Sequence, residues 1–475
     1  MKKKPLKILA IIFLLSLIFN LYLSLSSPYL NNDKSYFNLR VIDQIKNTGL
    51  PLFYDELSYG GRYLIVQPFF HYLFMILSFV PFYFNIFPAL LVSSLVLISY
   101  FIAREITNDE NSSLITALLA GFVPIYSKTL INQFTIYTLV LPLIAFMILC
   151  FIKLEEKKYF VFFIIGGIIL SLTHSSSFLL LFIFLFYILL VNVENIKLIK
   201  LKKETLLFMF FLIFMINILF FRKAFFQYGL DVVYGNNPLF NTINIFQSFY
   251  LLGVIPLFLG IIGLYQGFFG PKKEQITLIY SIILGILFLF LIRLIDIKIG
   301  LLFLSFGLVI ASSLAIKNFF VYLDKTKFSN SRRLAILVFI IFFIGLSFLP
   351  TYFNYKEEFT DLNDFEWLKN NVDENSVILT PLEYGHLVPY FSDRSNVIDS
   401  NFLLAPDPIQ RYHDINLIYS GWSYNKAIEL LKDYSVDYIY ISKDVKNIYN
   451  IDDLPYLENE ECIRRIKESI YQFVC

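Results

Sequence analysis

Behind the first apolar run of the chain, Asp33, Asp43, Asp55 and Glu56 share a short stretch with Tyr36, Arg40 and Arg62. Carboxylates are costly to desolvate against an apolar layer, so a group of them there points to chemistry before packing. A carboxylate so placed accepts a proton from an attacking hydroxyl, and cations beside it hold an anionic leaving group. Further cations expected on the same side are Lys128, Arg222 and the imidazole of His174. A second cluster, Glu383-Tyr384-Gly385-His386, lies in the tail and is a candidate for acceptor binding. Each group also has a plainer reading. Asp33 is a good N-cap for a helix starting at Lys34. Arg62 behind Gly60-Gly61 suits an interfacial anchor, and His174 followed by Ser175-Ser176-Ser177 suits a helix-capping turn. The tail cluster suits a strand-to-helix turn in which Gly385 relieves backbone strain.

The elements that must position these residues are membrane helices. With 57% hydrophobic, 19% aromatic and only 16% charged residues, the composition is that of a polytopic α-helical membrane protein rather than a soluble domain. A net charge of +2 with no basic, aromatic-interleaved soluble stretch excludes nucleic acid as a partner and leaves the lipid bilayer as the first one. No zinc-hydrolase motif, CxxC pair or glycine-rich phosphate loop is present. The basic start and the apolar run Lys7 to Leu25 lack a small-residue cleavage site and read as a retained first span. Apolar runs near 86–103, 113–127, 130–152, 159–173, 175–193, 205–221, 245–270, 275–292, 299–316 and 333–350 bring the total to roughly eleven spans. The proline-flanked segment Phe69 to Phe82 is expected to lie in, or re-enter, one face.

Basic residues concentrate in alternate loops, at 2–7, 104, 153–158, 197–203, 272–273 and 317–333. This asymmetry places the N-terminus in the cytoplasm and, with an odd number of spans, the tail outside the cell. The expected domains are a membrane part, 1–350, whose external loop 27–68 carries the acids, and a small extracytoplasmic α/β domain, 351–475. In the tail, helical spacing is expected over Asn363 to Asn371 and Tyr424 to Tyr434. Strands are expected at Val377 to Leu379, Asn396 to Asp399 and Val436 to Ile441. Cys462 and Cys475 are able to pair if that domain lies outside.

The order of these features resembles a known family. Asp33 through Tyr36-Phe37-Asn38-Leu39-Arg40, then Tyr54-Asp55 to Gly61-Arg62 and Pro68, is similar to the first external loop of the catalytic subunit of oligosaccharyltransferase. Ser99-Tyr100 and Leu118 to Lys128 resemble the span leading to that family's second acidic motif. Trp367 to Asn371, Val377-Ile378-Leu379, Glu383 to His386 and Arg394 to Asp399 look like the surroundings of its WWDYG motif.

The resemblance implies a C-class glycosyltransferase that takes a sugar from a polyprenyl- or dolichyl-phosphate carrier at the outer face of the cell membrane. The acceptor is then a glycan, a lipid or a protein. Asp33 is the implied catalytic carboxylate, positioning or deprotonating the acceptor, with Tyr36, Arg40, Asp55 and Glu56 around the acceptor and Arg62, Lys128, His174 and Arg222 on the donor phosphate. Two departures bear on the chemistry. Asn132-Gln133-Phe134-Thr135 stands where the second acidic pair belongs, and Pro381-Leu382-Glu383-Tyr384-Gly385 stands in place of WWDYG. No cofactor is therefore certain, and Mn2+ or Mg2+, if bound, has Asp33 as its one assigned ligand. The expected reaction is metal-free sugar transfer by general-base catalysis. Oligosaccharyl transfer to protein with a degenerate metal site, and a non-catalytic relative with a structural role, stay open beside it.

Overall fold

The computed structural model describes residues 3–229, 244–270, 274–326, 332–353, 359, 362–421, 423–451, 454 and 462–475. The basic positions 272–273 and 327–331 lie outside the described residues. Two compact units result. The first comprises Met1–Pro28, Gln67–Phe220 and Phe240–Lys356; the second comprises Tyr29–Val66, Phe221–Leu239 and Glu357–Cys475.

The first unit is helical: α1 (Lys3–Leu25), α3 (Phe69–Leu77), α4 (Tyr83–Thr107), α5 (Glu110–Gly121), α6 (Pro124–Thr129), α7 (Tyr137–Ile152), α8 (Lys157–Thr173), α9 (Ser177–Val193) and most of α10 (Lys200–Tyr228). It continues through Ile245–Leu252, Val254–Phe268, Glu274–Leu291, Ile297–Lys325 and Arg332–Phe343. Its core is a continuous cluster of Leu, Ile, Val and Phe side chains. Ile297–Lys325 runs through it, its apolar window 89% buried.

Among the described residues, five helices are long and apolar enough to cross a membrane: Lys4–Leu25, Tyr83–Thr107, Lys200–Tyr228, Glu274–Leu291 and Ile297–Lys325. Ile245–Leu252 and Val254–Phe268, bent by 83° at Gly253, make a sixth if taken as one broken span. The chain is thus a predominantly helical membrane protein, but the expected count of roughly eleven is reached only by adding short helices. Tyr137–Ile152 and Ser177–Val193 are 16 and 17 residues long, because turns at 132–136 and 174–176 end them early. A helix of 16 residues reaches about 24 Å, less than the hydrocarbon thickness of about 30 Å. At nine residues, α3 reaches only about 14 Å, too short to cross by itself.

The second unit joins the first loop to the tail. Its sheet has the order β4-β3-β5-β7-β6, with β3 (Val377–Leu379) parallel to β4 (Ser395–Asn396) and to β5 (Tyr438–Tyr440). The hairpin of β6 (Ile463–Lys467) and β7 (Ile470–Phe473) completes it, pairing antiparallel to β5 through β7. Cys462 and Cys475 form a disulfide across the open end of this hairpin, with Cα atoms 4.9 Å apart. Helices Asn363–Asn371, Pro408–Ser420 and Tyr424–Asp433 cover the sheet with Phe365, Leu368, Ile415, Ile418, Leu430 and Leu431. The loop 29–66, read in the sequence as part of the membrane domain, packs in this unit. It brings α2 (Asp33–Thr48) and the small hairpin of β1 (Tyr54–Asp55) and β2 (Arg62–Tyr63).

Candidate active site

The helix α2 begins where three successive residues, Asn31, Asn32 and Asp33, all favour a helix start. Asn32 takes the cap: its backbone is extended and its side-chain oxygen accepts the N–H of Lys34 at 3.0 Å. Asp33, expected as that cap in the plainer reading, is instead the first helical residue and reaches across the unit. Its Oδ1 accepts the backbone N–H groups of His386 at 2.7 Å and Leu387 at 3.1 Å. These two amides open the turn that runs on into the π-helical residues Val388–Ser392. Its Oδ2 is buried with no hydrogen-bond partner. Burial, reinforced by the negative charge of Asp399, raises the Asp33 pKa well above the usual carboxylate range, against the pull of the two amides. The carboxyl faces a cleft of about 420 Å³, lined also by Lys34, Glu383, Tyr384, Ser400 and Asp444. Ser400 Oγ is likewise buried and unpartnered there.

Gly385 explains how the two amides come so close. Its φ is −59°, ordinary helical backbone, so no strain is relieved there, contrary to the turn reading. What the position requires is space: a Cβ would sit 2.6 Å from Asp399 Cα and closer still to the Ile398 carbonyl. The Gly385 carbonyl accepts Asn396 Nδ2 at 2.6 Å, which fixes the turn against β4.

His386 is buried beside the Phe37 ring, centroids 5.1 Å apart, and neither ring nitrogen has a hydrogen-bond partner. Burial lowers its pKa to about 4, so the ring is neutral at pH 7 even though Asp399 pulls the other way. Of the remaining tail residues, Tyr384 is buried on Phe359 and Tyr440, and Glu383 is exposed.

Lys34 lines the cleft, but the arginines of the first loop do not. Arg62 is buried: Nε donates to Ser58 Oγ at 2.7 Å and Nη2 to Asp399 Oδ1 at 2.7 Å. Its Nη1 donates to the carbonyls of Asn401 and Leu403. Four of its five N–H donors are so engaged and the side chain is only 2% exposed, so Arg62 forms a structural ion pair where a role on the donor phosphate was expected. Arg40 is similarly held, in a bidentate pair with Asp55 at 2.8 and 3.0 Å that ties α2 to β1. Tyr36 is buried as well, its hydroxyl bonded to the backbone of Leu30 and its ring against Tyr390 and Phe391. Arg40, Asp55 and Tyr36 thus hold the loop together, Arg40 also lining a second cleft of about 550 Å³, whereas Glu56 is exposed.

Asp399, not singled out in the sequence as a site residue, is the hub of this network. Ser58 Oγ donates to its Oδ2 at 2.6 Å, and the Asn401 N–H to its Oδ1 at 2.9 Å. Tyr59 bonds Asn396 through its N–H and the Asp399 carbonyl through its hydroxyl. Burial would raise the Asp399 pKa, but His386 and Arg62 outweigh it and hold the value down to about 2. Because His386 charges only near pH 4, Arg62, Ser58 and the Asn401 amide carry the stabilisation at neutral pH. A carboxylate 20 residues beyond the strand ending at Leu379 and 14 beyond Gly385 was the available signal.

The other expected cations lie elsewhere. Arg222 is exposed on the last turns of α10, in the part of that helix grouped with the second unit. Lys128 and His174 belong to the first unit. Lys128 is exposed at the end of α6. His174 ends α8, its Nδ1 2.8 Å from Ser176 Oγ and its ring against Tyr137, in agreement with the helix-capping reading. In the same unit Asn132, at the position of the missing acidic pair, is buried with its Oδ1 accepting Asn85 Nδ2 at 3.3 Å.

One oxygen of Asp33 is already held by two amides, Asp55 and Asp399 are each engaged by an arginine, and Asp414 by Tyr434 and Gln410. Among the described residues no group of three or more His, Cys, Asp or Glu side chains is arranged to hold a metal ion.

No protein-family model and no curated protein matches the sequence. Solved structures do. The apo oligosaccharyltransferase of Archaeoglobus fulgidus superposes with a TM-score of 0.70 at 13% identity, over 98% of this chain and 73% of that one. The archaeal oligosaccharyltransferase of the same organism, in complex with an inhibitory peptide and a dolichol-phosphate, gives 0.69 at 14% identity over 92% and 69%. The form tethered by a disulfide to an acceptor peptide containing the NVT sequon gives 0.67 at 13% over 100% and 74%. The chain therefore has the fold of the oligosaccharyltransferase catalytic subunit, which its own motifs resemble.

Proposed function

We propose that the chain is a membrane glycosyltransferase that moves a sugar from a polyprenyl- or dolichyl-phosphate carrier to a hydroxyl-bearing acceptor at the outer face of the cell membrane. The observation that carries this reading is Asp33. In a fold shared with enzymes of this class, it keeps one buried carboxylate oxygen unpartnered at the wall of a cleft. Ionised Asp33 takes the acceptor proton on Oδ2 while the acceptor oxygen bonds to the anomeric carbon. The bond from that carbon to the phosphate oxygen breaks, and its electron pair leaves with the carrier phosphate. A cation meets that charge, and Arg222, in the same unit as Asp33, is the candidate once Arg62 is committed to its pairing. The raised pKa makes Asp33 a stronger base when ionised and lowers its ionised fraction at acid pH, so transfer rises as pH climbs through that pKa.

The orientation belongs to the same proposal. Concentration of lysine in alternate loops supports a cytoplasmic N-terminus, and the Cys462–Cys475 disulfide supports a tail outside the cell, where such bonds persist. Protease added to spheroplasts then digests residues 351–475; protection of the tail overturns the orientation.

The deciding experiment measures transfer from labelled polyprenyl-phosphate sugars by wild type and Asp33→Asn, each with and without chelator. Transfer that survives chelator and disappears in the variant is the expected result. Full activity in Asp33→Asn removes its central residue. A chelator-sensitive glycopeptide product moves the reading to oligosaccharyl transfer, and no product with any donor moves it to a non-catalytic relative.

A further inference from the structure

A crevice of about 420 Å³ opens between α9 and α10. Its walls are apolar, formed by Leu181, Phe184, Leu185, Ile188, Leu206 and Phe210. Asn192 and Lys203 are the polar residues on its rim. Both helices also present exposed apolar side chains outward, among them Leu189 at 50% and Phe211 at 63%, as helices in contact with hydrocarbon do.

Four lysines gather at the rim end, in and beside the connection from α9 to α10: Lys197, Lys200, Lys202 and Lys203. Two are accounted for. Lys202 is buried and paired with Glu274 at 2.6 Å, and Lys200 faces Glu204 at 3.6 Å. Lys197 and Lys203 are exposed and have no ion-pair partner among the described residues. A packed helix pair has no need of an apolar gap, and a surface loop has no need of one that ends at uncompensated positive charge.

We propose that this crevice binds an anionic membrane lipid, with a hydrocarbon chain between α9 and α10 and the phosphodiester head on Lys203 and Lys197. The occupant follows from the pairing of shape and charge: an apolar channel alone takes any chain, and the lysines select a negative head. The site lies within the first unit and the Asp33 cleft within the second, and the proposal does not depend on the proposed transfer activity.

The test is native mass spectrometry of the delipidated full chain titrated with dioleoylphosphatidylglycerol or dioleoylphosphatidylcholine. Phosphatidylglycerol is expected to be retained preferentially, and Lys203→Gln and Lys197→Gln each to weaken its retention roughly fivefold, the effect of one lysine near an anionic head. Leu185→Trp, which fills the crevice from its partly exposed wall, should weaken it as well. Lys157→Gln, an exposed lysine at the start of α8, should not. Equal retention of the two lipids, an equal loss with Lys157→Gln, or unchanged binding in Leu185→Trp overturns the site. All four side chains are at least partly exposed, so melting curves matching wild type separate lost binding from lost fold.

Discussion

Asp399→Asn tests whether the Arg62–Asp399 pair organises the second unit. The substitution keeps the shape of the side chain and removes its charge, leaving the Arg62 guanidinium buried, with side chains of the pair only 2% and 1% exposed. Nε and Nη1 keep Ser58 and the carbonyls of Asn401 and Leu403, so the loss is that of the charge partner. Breaking a buried pair from one side costs about 3–5 kcal/mol. Units of 150–250 residues lose roughly 2–4 °C of melting temperature per kcal/mol, so the expected fall is about 6–20 °C. The assay is selective, because both tryptophans of the chain, Trp367 and Trp422, belong to the tail sequence, and Trp367 on the helix Asn363–Asn371 reports on this unit. Asp43→Asn is the matched control. Asp43 forms an exposed pair with Lys46 at 3.2 Å, a kind of contact worth at most about 1 kcal/mol. Replacing both partners, Arg62→Met with Asp399→Leu, should recover much of the loss, since no charge is then stranded. A melting temperature for Asp399→Asn no lower than that of Asp43→Asn, or a double variant as unstable as the single one, refutes the reasoning.

Three more outcomes are expected. His386 is held neutral, with its pKa lowered from 6.5 to about 4, so its contribution is present above pH 6.5 and is lost as pH falls towards 4, to the extent of roughly 3 kcal/mol. His386→Phe should remove that acid limb of the tryptophan-monitored melting curve and raise stability at pH 5; an unchanged limb refutes it. Gly385→Ala should overpack the turn against Ile398 and Asp399 by about 1–3 kcal/mol and reduce transfer along with stability, read by melting and labelled-sugar assays together. Reductant should lower the melting temperature by closing-loop entropy of about 3 kcal/mol, since Cys462 and Cys475 are 13 residues apart, and Cys462→Ser should abolish the reductant effect.

How far the sequence carries the fold depends on whether a feature is local. The helices Asn363–Asn371 and Tyr424–Asp433 and the strand β3 stand where apolar periodicity places them, because burial of one face is written in neighbouring residues. The expected strand Asn396 to Asp399 shrinks to Ser395–Asn396, because Asp399 turns away to meet Arg62. The hairpin of β6 and β7 was not read, for its pairing is visible only once Cys462 and Cys475 are joined. The site shows the same limit. The acidic, aromatic surroundings single out Asp33 as a candidate, but the choice of Asn32 over Asp33 as cap is not legible, since both are favoured there. The role of Arg62 was hidden for a different reason: its partner lies 337 residues away, and an arginine beside a membrane has the same spelling whether it meets a phosphate or a buried carboxylate.

In the proposed reaction, the two oxygens of Asp33 divide positioning from chemistry. Oδ1 is fixed by amides that belong to the tail, so the carboxyl has one orientation whatever the acceptor does, and Oδ2 is left as the atom that can exchange a proton. The amides favour the charged form, and burial with the nearby Asp399 charge favours the neutral one. The second influence wins, which is the balance a base needs if it is to give up its proton only when the medium is alkaline enough and to hold it firmly once taken. The same network decides where the donor cannot be held. Each first-loop arginine that would have been the natural phosphate ligand is committed to a carboxylate, Arg40 to Asp55 and Arg62 to Asp399. If the proposed donor binds, its phosphate finds positive charge outside those pairs, and substitution of the exposed Arg222, in the same unit as Asp33, should weaken donor binding.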